Sequence, residues 1–178
     1  YNNTGKEIKK IVKSVSDIYD VSIKYNYTFG NPKSEISDYI SIHKPDIIVL
    51  GKRKSKIFSI LGDNITDFIL KTFNGIIMIT SDKNELTISD QLSVGILNEL
   101  NQLKSKELIE SLISISKKSP KVFKISEDNN LEKENNPYFS EKTIEYVFEK
   151  GDNILQNIVN YSTKSKINLV FLDRNKNQ

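Results

Sequence analysis

The chain has 178 residues, of which 37% are hydrophobic and 28% charged, with a formal net charge of +3. This composition is typical of a globular chain with a hydrophobic core, and the length suffices for one α/β domain or two small ones. The absence of cysteine excludes disulfides and thiolate chemistry, and the single histidine, His43, argues against a histidine metal cluster. No apolar run reaches the roughly 18 residues of a membrane span, and no signal peptide is recognisable at the start.

We therefore expect a cytoplasmic location, no membrane insertion and no metal. The lysines are spread among many asparagines, so we expect no nucleic-acid partner. The opening "YNNTGKEIKK" lacks an initiator methionine and leads directly into a helical pattern. We expect it to belong to a longer polypeptide or to a chain whose flexible ends are missing.

The first third of the chain predicts a helix, a strand and a second helix. Apolar residues at helical spacing predict an amphipathic helix over 5–19. Strict alternation in "VSIKYNYTF", residues 21–29, predicts a half-buried strand with Tyr25 and Tyr27 on its buried face. Pro32 suits the first turn of a helix over 32–43.

Two continuously apolar segments follow. "DIIVLG", residues 46–51, and "GIIMIT", residues 75–80, predict strands buried on both faces of a parallel sheet. The pattern between them predicts a helix from about 63 to 73.

The polar stretch at 82–91 predicts a linker, and the remainder of the chain repeats the alternation of strands and helices. The predicted elements are strands at 92–97, 121–126, 143–150 and 167–173, helices at 105–117 and 152–164, and a charged, asparagine-rich loop at 127–142. Strands alternating with helices of this length indicate an α/β fold made of βαβ units, with a mostly parallel sheet and helices on both faces.

Residues 23–53 can be laid over residues 144–174 with one insertion. Gly30 then matches Gly151, and Lys52 matches Arg174. Any two βαβ units can be aligned loosely. In this alignment, however, the alternating strand residues, the glycine and the apolar strand of one segment all fall opposite their counterparts in the other. This predicts two tandem repeats: a first domain at 1–81, the linker at 82–91 and a second domain at 92–178.

The segments "YTFGNPKSEISDYISIHKPD" and "PDIIVLGKRKSKIFSILGDNITDFILKTFNGIIMIT" resemble the universal stress protein (UspA-like) family. The resemblance implies a Rossmann-like fold of the adenine nucleotide alpha hydrolase-like type, with two tandem domains packed as a pseudo-dimer. The first domain lacks the family's first strands, and the second, degenerate domain lacks its last helix and strand. The family's last strand commonly pairs edge to edge in dimers, a role that "GIIMIT" would take here.

In this family, glycines let backbone amides approach the phosphates of ATP, and a helix start adds its positive dipole end. If a nucleotide binds, the resemblance implies a site at Gly51, Arg53, Lys54, Gly62, Asp63 and Asn64. However, Lys54 replaces the family's second glycine, the loop is two residues shorter, and Asp63, a potential helix N-cap, replaces a serine or threonine. In the second copy Asp173 replaces the first glycine, and Asn98 or Glu99 is nearest to the family's acidic residue by the adenine.

The densest basic cluster of the chain is either part of a solvated loop or a binding site for an anion; it consists of Lys52, Arg53, Lys54 and Lys56. His43 near a helix C-terminus complements the helix dipole. No nucleophile elbow, Walker loop or metal motif is present, so we expect no enzymatic activity and no bound cofactor.

The expected function is that of a non-enzymatic stress-response or regulatory protein acting through a protein partner or self-association. Two alternatives stay open: an ATP or AMP sensor, and a cytoplasmic regulatory domain of a membrane transporter.

Overall fold

The computed structural model describes residues 2–52, 59–81, 86–98, 103–126 and 143–174. The chain divides into two compact units, Tyr1–Pro45 and Asp46–Gln178, which we call the N-terminal and the C-terminal unit. The domain boundary predicted at 82–91 lies inside the second of these units and stays a prediction.

The described elements of the N-terminal unit are α1 (Asn2–Tyr19) and α2 (Pro32–His43). Those of the C-terminal unit are, in chain order, β1 (Ile47–Lys52), α3 (Ser59–Thr72), β2 (Ile76–Ser81), β3 (Val94–Leu97), α4 (Leu103–Ile115), β4 (Lys121–Ser126), β5 (Ile144–Glu149), α5 (Ile154–Lys164) and β6 (Leu169–Leu172). The predicted helices and the predicted strands of the C-terminal unit are thus confirmed, with shifted ends.

Helix α2 begins and ends with recognisable caps. The side chain of Asn31 accepts hydrogen bonds from the backbone N–H groups of Lys33, at 3.0 Å, and Ser34, at 3.4 Å, which satisfies two of the helix's first donors. Pro32 occupies the first turn as predicted. The helix ends at His43, and the C-cap residue Lys44 takes a left-handed conformation with φ 44°.

The strand predicted over 21–29 is wrong, since these residues form no strand in the structure. Tyr25 and Tyr27, expected on a buried face, are exposed, Tyr27 by 65%. Alternation supplies the side-chain pattern of a strand. A strand also needs a neighbouring strand whose backbone groups form hydrogen bonds with its own N–H and C=O groups. The described part of the N-terminal unit contains two helices and no other strand.

In the C-terminal unit, β1 and β2 form a parallel two-stranded sheet in which Ile47 lies opposite Ile76 and Gly51 opposite Thr80. Burial on both faces, predicted for these strands, is wrong: Val49 is 60% and Ile79 52% exposed. Their apolar sequences suit the middle of a wider sheet, whereas here each strand has one described neighbour.

Strands β3 to β6 form a parallel four-stranded sheet in the order β5-β4-β3-β6. The core of the unit lies on this sheet, where β3, β4 and α4 contribute buried aliphatic side chains: Leu92, Val94, Ile96, Ile109, Leu112 and Val122. Gly95 in β3 is closely packed, because a Cβ there would lie 3.0 Å from the ring of Phe123 and 3.3 Å from the side chain of Ile167.

The C-terminal unit is therefore an α/β structure with parallel sheets flanked by helices, compatible with a Rossmann-like fold. None of the helices in the described ranges combines the length and the hydropathy needed to cross a membrane.

Candidate functional site

The four-stranded sheet has a topological switch point between β3 and β6. From β3 the chain passes through α4 to β4 and on to β5, and α5 then returns it to β6 on the opposite side of β3. In sheets of this kind ligands bind outside the carboxyl ends of the strands at the switch point. Here those ends are Leu97, followed by Asn98, and Leu172, followed by Asp173 and Arg174.

Asn98 holds the end of β3 to β4. Its backbone N–H donates to the carbonyl of Phe123 at 2.7 Å, and its side-chain Oδ1 accepts from the N–H of Ile125 at 3.1 Å. Its φ of 55° places it in the left-handed region, which asparagine tolerates better than most residues. The side chain that sequence reasoning placed near an adenine thus serves the sheet itself. Glu99, the other candidate, lies outside the described residues.

Arg174 holds the end of β6 to the end of α3. Its guanidinium donates to the carbonyls of Leu70 and Phe73, the latter at 2.7 Å, and to that of Gly75 at 3.4 Å. The last carbonyls of a helix have no partner within the helix and carry the negative end of its dipole. A forked cation is well suited to several of them at once. Sequence reasoning missed this role and only matched Arg174 with Lys52.

Gly51 is the one residue of the predicted phosphate site whose surroundings the structure defines. It lies in β1 opposite Thr80, and a Cβ built on it would meet no atom within 4 Å. Neither packing nor a left-handed backbone requires glycine at this position. Among the described residues, none fills the space beside its Cα, as a ligand approaching the chain there would need.

The other residues of the predicted site are only partly described. Arg53 and Lys54, with Lys56 of the basic cluster, lie outside the described residues. Helix α3 begins at Ser59 rather than near residue 63, so Gly62, Asp63 and Asn64 lie inside the helix. The N-cap position predicted for Asp63 is therefore wrong. Their part in binding a nucleotide stays a prediction.

A cavity of about 370 Å³ lies between β2 and β6. It is lined by consecutive residues of the two strands and their flanks, 75–79 and 169–174, and by aliphatic side chains such as Leu86, Ile88 and Leu108. Charged lining residues are confined to Asp173 and Arg174, which both follow the end of β6. Sequence reasoning did not predict this cavity, because it depends on how two strands distant in the chain approach each other.

An aromatic cluster joins β4, β5 and α5. The rings of Tyr146 and Tyr161 lie 4.6 Å apart between centroids, and Phe123 lies 5.8 Å from Tyr161. A hydrogen bond between the side chains of Tyr146 and Tyr161, together with desolvation, raises the pKa of Tyr146 above its ordinary value. His43 ends α2 as predicted, with its ring 4.1 Å from that of Tyr39. Within the described ranges no three His, Asp or Glu side chains come together as metal ligands.

The fold and the strand ends define an α/β protein with a parallel sheet and a switch point. Comparison of the chain with protein-family models, with curated proteins and with solved structures gives no match.

Proposed function

We propose that the chain is a non-enzymatic regulatory module of the universal-stress-protein type, built from two tandem repeats and acting through protein contacts. The resemblance of residues 5–81 to that family motivates the assignment. The parallel strands and flanking helices of the C-terminal unit are compatible with the Rossmann-like fold that the resemblance implies.

One observation carries the regulatory interpretation. Two polar side chains at the switch point, those of Asn98 and Arg174, are bonded to the protein's own backbone. Groups held in this way stabilise strand and helix ends, and a ligand would have to displace them. We therefore expect this edge to be structural and the function to lie in a surface.

The experiment is isothermal titration calorimetry of the chain with ATP and Mg²⁺, repeated with ADP and AMP. The proposal expects no saturable heat up to millimolar nucleotide. Micromolar binding would overturn the non-nucleotide part of it and favour the sensor.

Gly51→Val gives the matched variant for that titration. Because a Cβ at this position meets nothing within 4 Å, the variant should fold normally while blocking approach to the backbone. If a nucleotide binds at this loop, the variant abolishes binding; if binding persists in the variant, the nucleotide sits elsewhere. The open space at Gly51 is also the observation that favours the sensor as the second candidate function.

A further inference from the structure

The connection between α3 and β2 contains an asparagine followed by a glycine. Asn74–Gly75 is the single Asn-Gly sequence of the chain, and it lies between Thr72, which ends α3, and Ile76, which begins β2. Asn74 is exposed. Within the described residues, neither its carboxamide nor the backbone N–H of Gly75 forms a hydrogen bond. Since Gly75 is half-buried and N–H groups away from water are usually paired, this N–H is unusually available for reaction.

Packing explains why glycine occupies position 75. A Cβ on Gly75 would collide with the ring of Phe73 and would lie 2.8 Å from the carbonyl oxygen of Asp46. The same carbonyl accepts a hydrogen bond from the N–H of Ile76 at 3.2 Å, so it cannot move aside without breaking the contact that starts the two-stranded sheet. The fold therefore requires, directly after Asn74, the residue that hinders its backbone nitrogen least.

An exposed Asn-Gly sequence has a characteristic reaction with water. The backbone nitrogen of the glycine attacks the side-chain carbonyl carbon of the asparagine, and a new N–C bond closes a five-membered imide. The C–N bond of the carboxamide breaks, and ammonia leaves with the proton that the backbone nitrogen loses. Water then opens the imide at either of its two carbonyls. One opening gives aspartate, and the other gives isoaspartate, in which the main chain runs through the former side chain.

We propose that Asn74 is a modification site, at which the folded chain converts spontaneously to aspartate and isoaspartate by attack of the Gly75 nitrogen. The structure supplies an exposed carboxamide, an N–H without a bond to any described residue and a neighbour without a Cβ. Water is the only co-reactant. The reaction needs no ligand and no partner, so it goes beyond the regulatory function proposed above and does not rest on it.

The modification falls on the contact made by Arg174. The guanidinium donates to the carbonyl of Phe73 at 2.7 Å and to that of Gly75 at 3.4 Å, which flank Asn74. Aspartate keeps the spacing of these carbonyls and adds a carboxylate that the guanidinium attracts. Isoaspartate inserts a methylene group into the main chain between them, so one guanidinium no longer fits both. We therefore expect isoaspartate to loosen the link between α3 and the end of β6.

Ageing of the purified chain tests the reaction. The chain is kept for days at physiological temperature in mildly alkaline buffer, and tryptic peptides are followed by mass spectrometry. Peptide 72–83 should show the mass change of an amide that becomes an acid. Peptide 25–33 is the internal control, because its exposed asparagines, Asn26 and Asn31, precede Tyr27 and Pro32. Reaction at Asn74 should be at least tenfold faster, since tyrosine hinders the attack and proline has no N–H.

A synthetic peptide of residues 72–83 separates the effect of the fold from that of the sequence. The folded chain should react within tenfold of the rate of this peptide. A reaction confined to unfolded molecules would be far slower, because they are a very small fraction of a stable chain. Far-UV circular dichroism verifies that the chain stays folded during ageing. If Asn74 keeps its amide in the folded chain while the peptide loses it, the proposal is overturned.

Two variants identify the consequence for Arg174. Asn74→Gln keeps the amide but would have to close a larger, less favourable ring, and freshly prepared Asn74→Asp carries the charge without the added methylene group. Aged wild type should unfold at a lower urea concentration than fresh wild type, whereas aged Asn74→Gln and fresh Asn74→Asp should not. Enzymatic methylation with an isoaspartyl methyltransferase should label aged wild type alone. An equal shift in aged Asn74→Gln, or no shift in an isoaspartate-rich wild type, overturns the proposed effect on this contact.

Discussion

Removing the guanidinium of Arg174 tests whether the end of β6 is held by the end of α3. In the Arg174→Ala variant the carbonyls of Leu70, Phe73 and Gly75 lose their cationic donor. Those of Leu70 and Phe73 then lie near the negative end of the helix dipole with water as their replacement partner.

The magnitude follows from the geometry. A hydrogen bond from a charged donor contributes about 1.5–3 kcal/mol when its acceptor is buried. The carbonyls here are only part-buried, so the bonds to Leu70 and Phe73 contribute about 1–1.5 kcal/mol each, and the bond to Gly75, which is long at 3.4 Å, adds little. With about 0.5 kcal/mol from the dipole, the expected loss is about 2–4 kcal/mol in the free energy of unfolding.

Urea unfolding followed by far-UV circular dichroism measures this loss. Arg174→Lys keeps the charge but not the fork, so about half of the loss is expected. Lys164→Ala, which removes an exposed cation from the last turn of α5, is the matched control and should change stability by about 0.5 kcal/mol or less. An Arg174→Ala variant as stable as that control would refute the reasoning.

Three further predictions concern the core, a strand end and the aromatic cluster. Ile96→Ala removes a fully buried side chain from the middle of the four-stranded sheet and should cost about 2–5 kcal/mol in urea unfolding; a loss under about 1 kcal/mol would contradict the assigned core. Asn98→Gly loses the bond to Ile125 but keeps access to the left-handed region, so it should cost about 0.5–1.5 kcal/mol, and Asn98→Ala about 1 kcal/mol more; equal losses would argue against backbone strain. The hydrogen bond with Tyr161 raises the pKa of Tyr146 in the folded state, whereas in the unfolded state this pKa is near 10. The protonated hydroxyl therefore contributes its full stabilisation below about pH 10, and the contribution is lost as the pH rises through the raised pKa of the folded state. Between pH 9 and 11 the free energy of unfolding should therefore fall less in Tyr146→Phe than in the wild type. Parallel curves of unfolding free energy against pH would contradict this role of Tyr146.

Sequence patterns predicted the elements of the C-terminal unit because each carries its own local signal. The period of its apolar residues and the Asn31–Pro32 start likewise placed α2 correctly. The segment "VSIKYNYTF" shows where such reasoning fails. Its alternation is as regular as that of any strand in the chain, but a strand also depends on a neighbour that the pattern does not encode.

The candidate site was harder to predict for the same physical reason. Gly51 could be placed at the end of a strand from its sequence alone. The role of Arg174 could not, since its acceptors lie about a hundred residues earlier in the chain. The cavity between β2 and β6 likewise arises from two strands that approach through tertiary packing, and its lining residues look in sequence like ordinary core.

Arg174, which follows the end of β6, is bonded to the carbonyls of Phe73 and Gly75, which precede the start of β2. The carboxyl ends of the two sheets, which we call their carboxyl poles, therefore lie apart. Gly51 and Thr80 lie at the carboxyl pole of the two-stranded sheet, and Asn98 and Asp173 at that of the four-stranded sheet. Because a six-residue strand is about 20 Å long, a small ligand at one pole cannot reach the other. The guanidinium of Arg174 joins the carboxyl end of β6 to the backbone just before β2, so this one side chain ties the two sheets together at that place.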